Sequence, residues 1–379
     1  MRKVLIILPT YKEKENLETL IPSVFKQQEK LKNWEINILV VDSSSPDGTE
    51  KLLQEYKKKF GKRLDFLITK KEGLGKAYYR GFKYALEKIR PYVIFEMDAD
   101  WSHDPNLIPK FLKKIEKGAD FVIGARYIKG GSIPKNWGTH RKLFSIVGNW
   151  IIRIGFAKLK IHDWTSGYRA IKSWVIKKAL DHVKKYNSYV FQVALLDKAI
   201  KIHASIDQVP LHFKDRTKGY SKINSSQYIV HTLFYTFTNS PFIRFLIVGT
   251  TGFVIDFSVS FLNIEILGIN EVLGNGIGAE TAIISNFMLN NFWTFSHKKI
   301  KGGAKSYIIK FLKFNLISLG NVFMQMFGIW IALNLFGNRS VNLVFFTLKS
   351  WIIYKILIIV FFIIPLSYLL YNKIVWRRK

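Results

Sequence analysis

The chain has 379 residues, with 58 Lys and Arg against 27 Asp and Glu, for a formal net charge of +31. Such an excess calls for an anionic partner: nucleic acid, anionic lipid or a phosphorylated substrate. With no cysteine, disulfides, thiolate metal sites and a cysteine nucleophile are all excluded.

The length suits two or three domains. The opening M-R-K-V-L-I-I-L-P-T does not read as a signal peptide, because its apolar run Val4–Leu8 stops at Pro9. Strands are predicted at Val4–Leu8, Ile36–Val41, Asp65–Ile68, Tyr92–Met97 and Phe121–Gly124. Helical stretches are expected between them, near 13–32, 48–60, 74–90 and 104–117. Strands separated by single helices predict βαβ units and a mainly parallel sheet. Ligands of such sheets sit at the carboxyl ends of the strands. The motifs fall at those ends.

L-P-T-Y-K-E-K-E-N at 8–16 follows the first strand, with Tyr11 and Glu13 where a base could be stacked or hydrogen-bonded. V-V-D-S-S-S-P-D-G-T at 40–49 follows the second, with Asp42 at the strand tip and a turn leading into a helix. Each alone reads equally well as turn chemistry. K-E-G-L-G-K-A-Y-Y-R-G at 71–81 opens a helix. Its N–H groups could receive phosphate, or its glycines could serve tight packing.

M-D-A-D-W-S-H at 97–103 carries the sharpest signal. In an extended chain Asp98 and Asp100 point to one side. Two close carboxylates repel unless a cation lies between them, and a hard ion, Mg²⁺ or Mn²⁺, suits oxygen ligands. The competing reading is a helix cap, since Ser102-His103-Asp104-Pro105 starts a helix. His103 reads as a turn residue rather than a ligand.

Arg126 in G-A-R-Y follows the fifth strand. Arg141 and Ser145 lie four apart on one helix face, and Asp163 in D-W-T-S-G-Y-R-A is another acid at a turn. Lys214, Arg216, Lys218 and Lys222 cluster in K-D-R-T-K-G-Y-S-K. Such a cluster binds anionic lipid or a pyrophosphate. An apolar stripe of Ile223, Tyr228, Ile229, Leu233, Phe234 and Phe237 marks 223–240 as an amphipathic linker. It lies either at a membrane surface or against the preceding domain.

Composition breaks at Asn239-Ser240-Pro241, and beyond it the only acids are Asp256, Glu265, Glu271 and Glu280. Apolar runs near 242–267, 272–296, 311–336 and 341–371 are each long enough to cross ~30 Å of hydrocarbon. They predict an all-α membrane domain of four spans over 241–379. The basic loop 297–310 and the terminal W-R-R-K put those segments, with the basic first half, on the cytoplasmic side. The expectation is a multi-pass integral membrane protein in contact with lipid. Asp256 and Glu280 inside the spans serve either helix contacts or a polar path.

As an ordered set over residues 3–222, these motifs resemble glycosyltransferase family 2, in the branch of dolichyl-phosphate mannose synthases and polyprenyl-phosphate glycosyltransferases. F-L-I-V-G-T-T-G-F-V-I-D-F at 245–257 and N-F-M-L-N-N-F-W-T-F at 286–295 resemble the GtrA-like four-span family. The resemblance implies a GT-A fold, Rossmann-like, and an inverting, metal-dependent transfer. Pro9, Tyr11, Glu13, Val41 and Asp42 match donor-nucleotide positions. Asp98, Ala99 and Asp100 match the D-X-D that holds Mg²⁺ or Mn²⁺ and the diphosphate. Arg126, Arg216 and Lys222 match basic donor positions, and Arg141 and Ser145 match the lipid-phosphate site. Gln192 would face the same cleft. Asp100, Arg141, Arg216 and Lys222 would carry the chemistry.

Two departures stand out. Ser43 replaces a second acid after Asp42, and Ser102 occupies the place of a Gln that helps hold the metal. The implied reaction moves a sugar from a nucleotide donor, GDP-mannose favoured and UDP-glucose the alternative, to dolichyl or polyprenyl phosphate. Two other classes compete: a transporter of lipid-linked sugar, and a nucleic-acid-binding membrane protein. No nucleic-acid partner is expected, because the aromatics concentrate in the spans instead of interleaving with basic residues.

Overall fold

The computed structural model describes residues 1–186, 190–215, 225–300, 302–342 and 347–377. The chain divides into two compact units, Met1–Phe237 and Thr238–Lys379.

The first unit is built on a seven-stranded sheet of order β3-β2-β1-β4-β6-β5-β7. Its strands are β1 (Arg2–Thr10), β2 (Trp34–Asp42), β3 (Leu64–Ile68), β4 (Val93–Glu96), β5 (Phe121–Ala125), β6 (Arg169–Lys172) and β7 (Ile206–Pro210). All pairings are parallel except those of β6, which runs antiparallel to both β4 and β5. Side chains on β1 alternate between the two faces. Val4, Ile6 and Leu8 pack under α1 (Lys14–Lys26), α2 (Thr49–Phe60) and α4 (Ile108–Glu116). Leu5 and Ile7 pack under α3 (Leu74–Tyr84), α6 (Ser173–Val183) and α7 (Val190–Lys201). With both faces covered, the whole run Val4–Leu8 is 0% exposed. That explains why the strand reads as continuously apolar.

Local chemistry fixes the helix starts near the strand tips. Asp47 accepts from the Thr49 amide and hydroxyl, so α2 begins after Gly48 at φ +83°. Asp104 accepts from the Asn106 amide at 2.9 Å, and Pro105 opens the turn that leads to α4. This is the cap expected there. Gly81 lets α3 lie close on the sheet: a Cβ there would stand 3.0 Å from Ile7 and 3.2 Å from Val41.

The five predicted strands form, and β6 and β7 are additions. R-A-I-K and I-D-Q-V-P are short and carry charges, so neither reads as an apolar run. One expectation fails at the D-A-D motif. Strand β4 ends at Glu96, and the backbone turns through Trp101 in the left-handed region, φ +65°. Asp98 and Asp100 therefore lie on a turn, and strand alternation does not set where they point.

Two further helices complete this unit. Helix α5 (Thr139–Gly155) buries Asn149, Ile152 and Arg153 but exposes Leu143, Phe144, Val147, Trp150, Ile151 and Ile154. Helix α8 (Ser225–Asn239) anchors to it through Tyr235, whose hydroxyl donates to Asp197 at 2.8 Å and lies 3.2 Å from His182. Phe234 and Phe237, expected on one apolar stripe, face outward, while Thr232, Tyr235 and Thr236 are buried. Ile223 lies outside the described residues.

In the second unit, three helical stretches are long and apolar enough to cross a membrane: Pro241–Ile266, Ala304–Phe336 and Ile353–Val375. Their outer faces carry Phe253, Phe257, Phe323, Phe327 and Phe361, each more than half exposed. That surface suits lipid, not water. The run expected as the second of four spans is helical, Glu271–Leu289, but Gly274, Asn275, Glu280 and Asn286 dilute its apolarity. It is not among the three. This helix packs on Pro241–Phe261 through Gly252 against Asn286 and Gly278 against Ser260 and Asp256. Asp256 thus sits at a helix contact, where Ser260 lies 3.5 Å from its Oδ1, while Glu280 is exposed. Asn291, fully buried, accepts from the Ile300 amide and from Trp376 Nε1, tying the chain end to the bundle.

Candidate active site

The tips of β1, β2, β4 and β5 bring most of the singled-out residues to one edge of the sheet. Pro9 and Thr10 pair in register with Val41 and Asp42. Asp42, 1% exposed, accepts from the Thr10 hydroxyl (3.1 Å), the Ser45 amide (2.8 Å) and the Ser45 hydroxyl (2.5 Å). Oδ1 thus ties the tip of β2 to that of β1, and both oxygens hold the loop that follows β2. Ser45 in turn accepts from the Lys12 amide, which holds the loop carrying Tyr11. Lys71 Nζ stands 3.8 Å from the Tyr11 ring centroid, a cation–π contact. Glu13 precedes α1 and accepts from Asn16 at 2.6 Å. Val41 is the exception. Its side chain is buried under α3, so only its backbone faces the strand end.

At the tip of β4, the D-A-D turn is closed twice. The Asp98 amide donates to His103 Nδ1 at 2.9 Å, and the Ser102 amide donates to Asp100 Oδ1 at 3.1 Å. Ala99 and Asp100 are buried, and the Asp98 side chain is about a third exposed. The Ser102 hydroxyl is buried with no hydrogen-bond partner. Two carboxylates and an unengaged hydroxyl on one turn are oxygen donors of the kind a hard divalent cation takes. Among the described residues no three His, Asp or Glu side chains converge. Such an ion would complete its shell with phosphate oxygens and water.

Behind this turn, a buried layer supports it. His103 is 1% exposed and stacks on Tyr168, with ring centroids 4.8 Å apart. Burial pushes its imidazole down to about 4, so it is neutral near pH 7. Glu96 and Arg169 are both 0% exposed, and Arg169 Nε lies 3.7 Å from Glu96. Burial raises the Glu96 carboxyl to about 7 against the pull of Arg169. Gln192 is also buried, and its side-chain amide lies beside the Glu96 carboxyl and helps to hold it down. A Cβ on Gly167 would stand 3.7 Å from Gln192 Nε2 and 3.8 Å from Asp98 Oδ1. Gln192 therefore lies beneath the D-A-D turn, not on an open cleft wall.

Arg126, after β5, is locked by Asp163. Its Nε and Nη2 donate to the two carboxylate oxygens at 2.7 and 2.8 Å, and its amide donates at 3.0 Å. Burial alone would raise the Asp163 carboxyl, but Arg126 and the surrounding amides hold it below its usual range. Arg126 Nη2 also donates to Thr165. The sequence marks Asp163 only as an acid at a turn; its role as the partner that sets Arg126 emerges from the fold.

The two residues on α5 come into the same neighbourhood. Ser145 lies 2.5 Å from the Tyr127 hydroxyl, next to Arg126 in sequence. Arg141 lies over the Trp137 ring at 3.9 Å and 3.6 Å from Asp215, which accepts from Trp137 Nε1 at 2.8 Å. Phe213 makes ring contacts with both Trp137 and His103. Aromatic packing thus links the D-A-D turn to Arg141. Arg216 and Lys222 lie outside the described residues.

Residues 5–186 match the family model for glycosyl transferase family 2, and residues 244–376 match that for the GtrA/DPMS transmembrane domain. A dolichol-phosphate mannosyltransferase of Pyrococcus furiosus is 33% identical over 87% of this chain and 91% of its own. A polyprenol monophosphomannose synthase of Mycolicibacterium smegmatis is 37% identical over 59% of this chain and 82% of its own. A solved structure of glucosyl-3-phosphoglycerate synthase from Mycobacterium tuberculosis with Mn²⁺, UDP and phosphoglyceric acid is 18% identical. It covers 62% of this chain and 77% of that one, at a TM-score of 0.45. The chain belongs to glycosyltransferase family 2, with a GT-A catalytic unit followed by a GtrA/DPMS transmembrane domain. It is a glycosyltransferase and a membrane protein.

Proposed function

We propose that the protein transfers mannose from GDP-mannose to a polyprenyl phosphate, with inversion, at the cytoplasmic face of a membrane it crosses several times. Two features carry this reading. Both mannosyltransferase relatives are named for a polyprenol-type acceptor. Arg141 and Ser145, matched to the acceptor phosphate, lie on a helix that also presents an exposed apolar face. An outward stripe of Leu143, Val147, Trp150, Ile151 and Ile154 reverses the pattern of a water-facing helix and suits a lipid surface. A lipid-borne phosphate would meet Arg141 there. The +31 net charge fits two polyanionic substrates and an anionic bilayer.

In this reading an acceptor phosphate oxygen attacks the anomeric carbon, and the carbon–oxygen bond to the nucleoside diphosphate breaks. The diphosphate leaves with the electron pair, and an α-linked donor gives a β-linked product. The nucleophile is already ionised, so no dedicated base is needed. The protein's work is alignment and charge stabilisation. Asp98, Asp100 and Ser102 would hold Mg²⁺ or Mn²⁺, which would neutralise charge on the leaving diphosphate. Tyr11, Glu13 and the Pro9–Val41 strand ends would receive the nucleoside, and Arg126, set by Asp163, would face the donor. Arg216 and Lys222 would add charge against the diphosphate.

The test is a donor competition. Purified full-length protein would receive dolichyl phosphate and either labelled GDP-mannose or labelled UDP-glucose. A β-linked mannolipid is expected. A glucolipid would keep the chemistry but overturn the donor, and no lipid product from either would overturn the proposal.

A further inference from the structure

A backbone amide can only donate, so the 2.9 Å contact from Asp98 N to His103 Nδ1 requires that Nδ1 carry no proton. The ring proton then sits on Nε2. That nitrogen faces the other half of the same residue: it lies 3.8 Å from Asp98 Oδ2, beyond a hydrogen bond but within reach of a small carboxylate rotation. One imidazole therefore addresses both the main chain and the carboxylate of Asp98. The ring itself has little freedom. It lies nearly parallel to Tyr168, 11° between planes, and Phe213 meets it edge-on at 6.1 Å. The Tyr168 hydroxyl donates to the Asp104 carbonyl at 3.1 Å, so the platform under the ring is fixed to the residue that caps the next helix. The turn needs such a clasp, because Trp101 holds a left-handed backbone that strains a bulky residue.

We propose that His103 is the positioning residue of the D-A-D turn, clasping the Asp98 amide with Nδ1 and orienting the Asp98 carboxylate with Nε2–H. This rests on the reading of Asp98 and Asp100 as metal-holding residues. A partner that orients a ligating carboxylate sets metal affinity without touching the ion.

The test is Mn²⁺ binding to the full-length protein in detergent with GDP, read by the electron paramagnetic resonance signal of free Mn²⁺. Wild type is compared with Asp98→Asn, His103→Leu and His103→Gln, each with its melting temperature. Gln supplies one acceptor and one donor, and Leu supplies neither at similar volume. Leu should weaken Mn²⁺ binding roughly 10- to 100-fold, and Gln should stay within about threefold of wild type. If Leu does not fold, His103→Phe makes the same comparison while keeping the stack on Tyr168. Wild-type affinity in folded Leu or Phe variants overturns the proposal. So does a folded Gln variant as weak as Asp98→Asn. Equal binding by wild type and Asp98→Asn would instead sink the metal reading beneath it.

Discussion

Removing Asp163 should be among the most damaging single changes in the catalytic unit. Its carboxylate is fully buried and accepts from Arg126 Nε, Nη2 and amide, and from the Ser166 amide at 3.1 Å. In Asp163→Ala the guanidinium, 9% exposed, loses the carboxylate that two of its nitrogens bond. Breaking a buried pair from one side costs about 3–5 kcal/mol. At about 2–4 °C per kcal/mol for a unit of this size, the melting temperature should fall by roughly 6–20 °C. Tryptophan fluorescence of the full chain in detergent would follow the melt. Removing the charge from both sides, with Arg126→Met beside Asp163→Leu, should recover part of the loss. The sign of the pH dependence follows from the lowered Asp163 carboxyl. Its stabilisation is complete above the unfolded value, about 3.9, and is lost as pH falls through the folded value below it. The gap between wild type and Asp163→Ala should therefore narrow in that acid range. A shift under about 2 °C at neutral pH, or a gap that widens in acid, would mean that the Arg126–Asp163 pair does not stabilise the fold.

Arg141→Ala should lower kcat/KM for the lipid phosphate by roughly 10- to 150-fold, the worth of a charge-assisted hydrogen bond, and leave the donor KM near its wild-type value. Acceptor and donor titrations separate the two. Gly81→Leu should destabilise the catalytic unit by about 1–3 kcal/mol, because the added atoms meet Ile7 and Val41 in a filled core. Denaturant unfolding reads it. Phe144→Asp with Ile151→Asp places charge on the exposed face of α5. Transfer to long-chain acceptor in vesicles should fall, while transfer to a short water-soluble polyprenyl phosphate should persist.

The central strands were legible because burial on both faces makes them continuous apolar runs, as in Val4–Leu8. Strands β6 and β7 were not, because Arg169 and Lys172, or Asp207 and Gln208, interrupt any run. Their places come from pairing with β4 and β5, which no local pattern announces. The D-A-D motif is readable because two acids at a strand end are anomalous. The contacts behind the site are not, because His103 reaches the Asp98 amide around a turn and Asp163 reaches Arg126 from a distant loop. Arg126 meets Asp163 across 37 residues. The outward apolar face of α5 hides for another reason. Its sequence is amphipathic like any helix, and only the fold shows which side is uncovered. The second apolar run shows the converse. Its length suits a span, but its glycines serve contact with the preceding helix.

The most direct test is one transfer assay on the full-length protein in detergent, with labelled GDP-mannose, dolichyl phosphate and Mn²⁺, run on wild type and Asp100→Asn. Wild type should give labelled mannolipid, abolished by chelator. Asp100→Asn should give none above background at an unchanged melting temperature. Undiminished transfer by Asp100→Asn, or mannolipid formation that survives chelation, would rule out metal-dependent mannosyl transfer at the D-A-D turn.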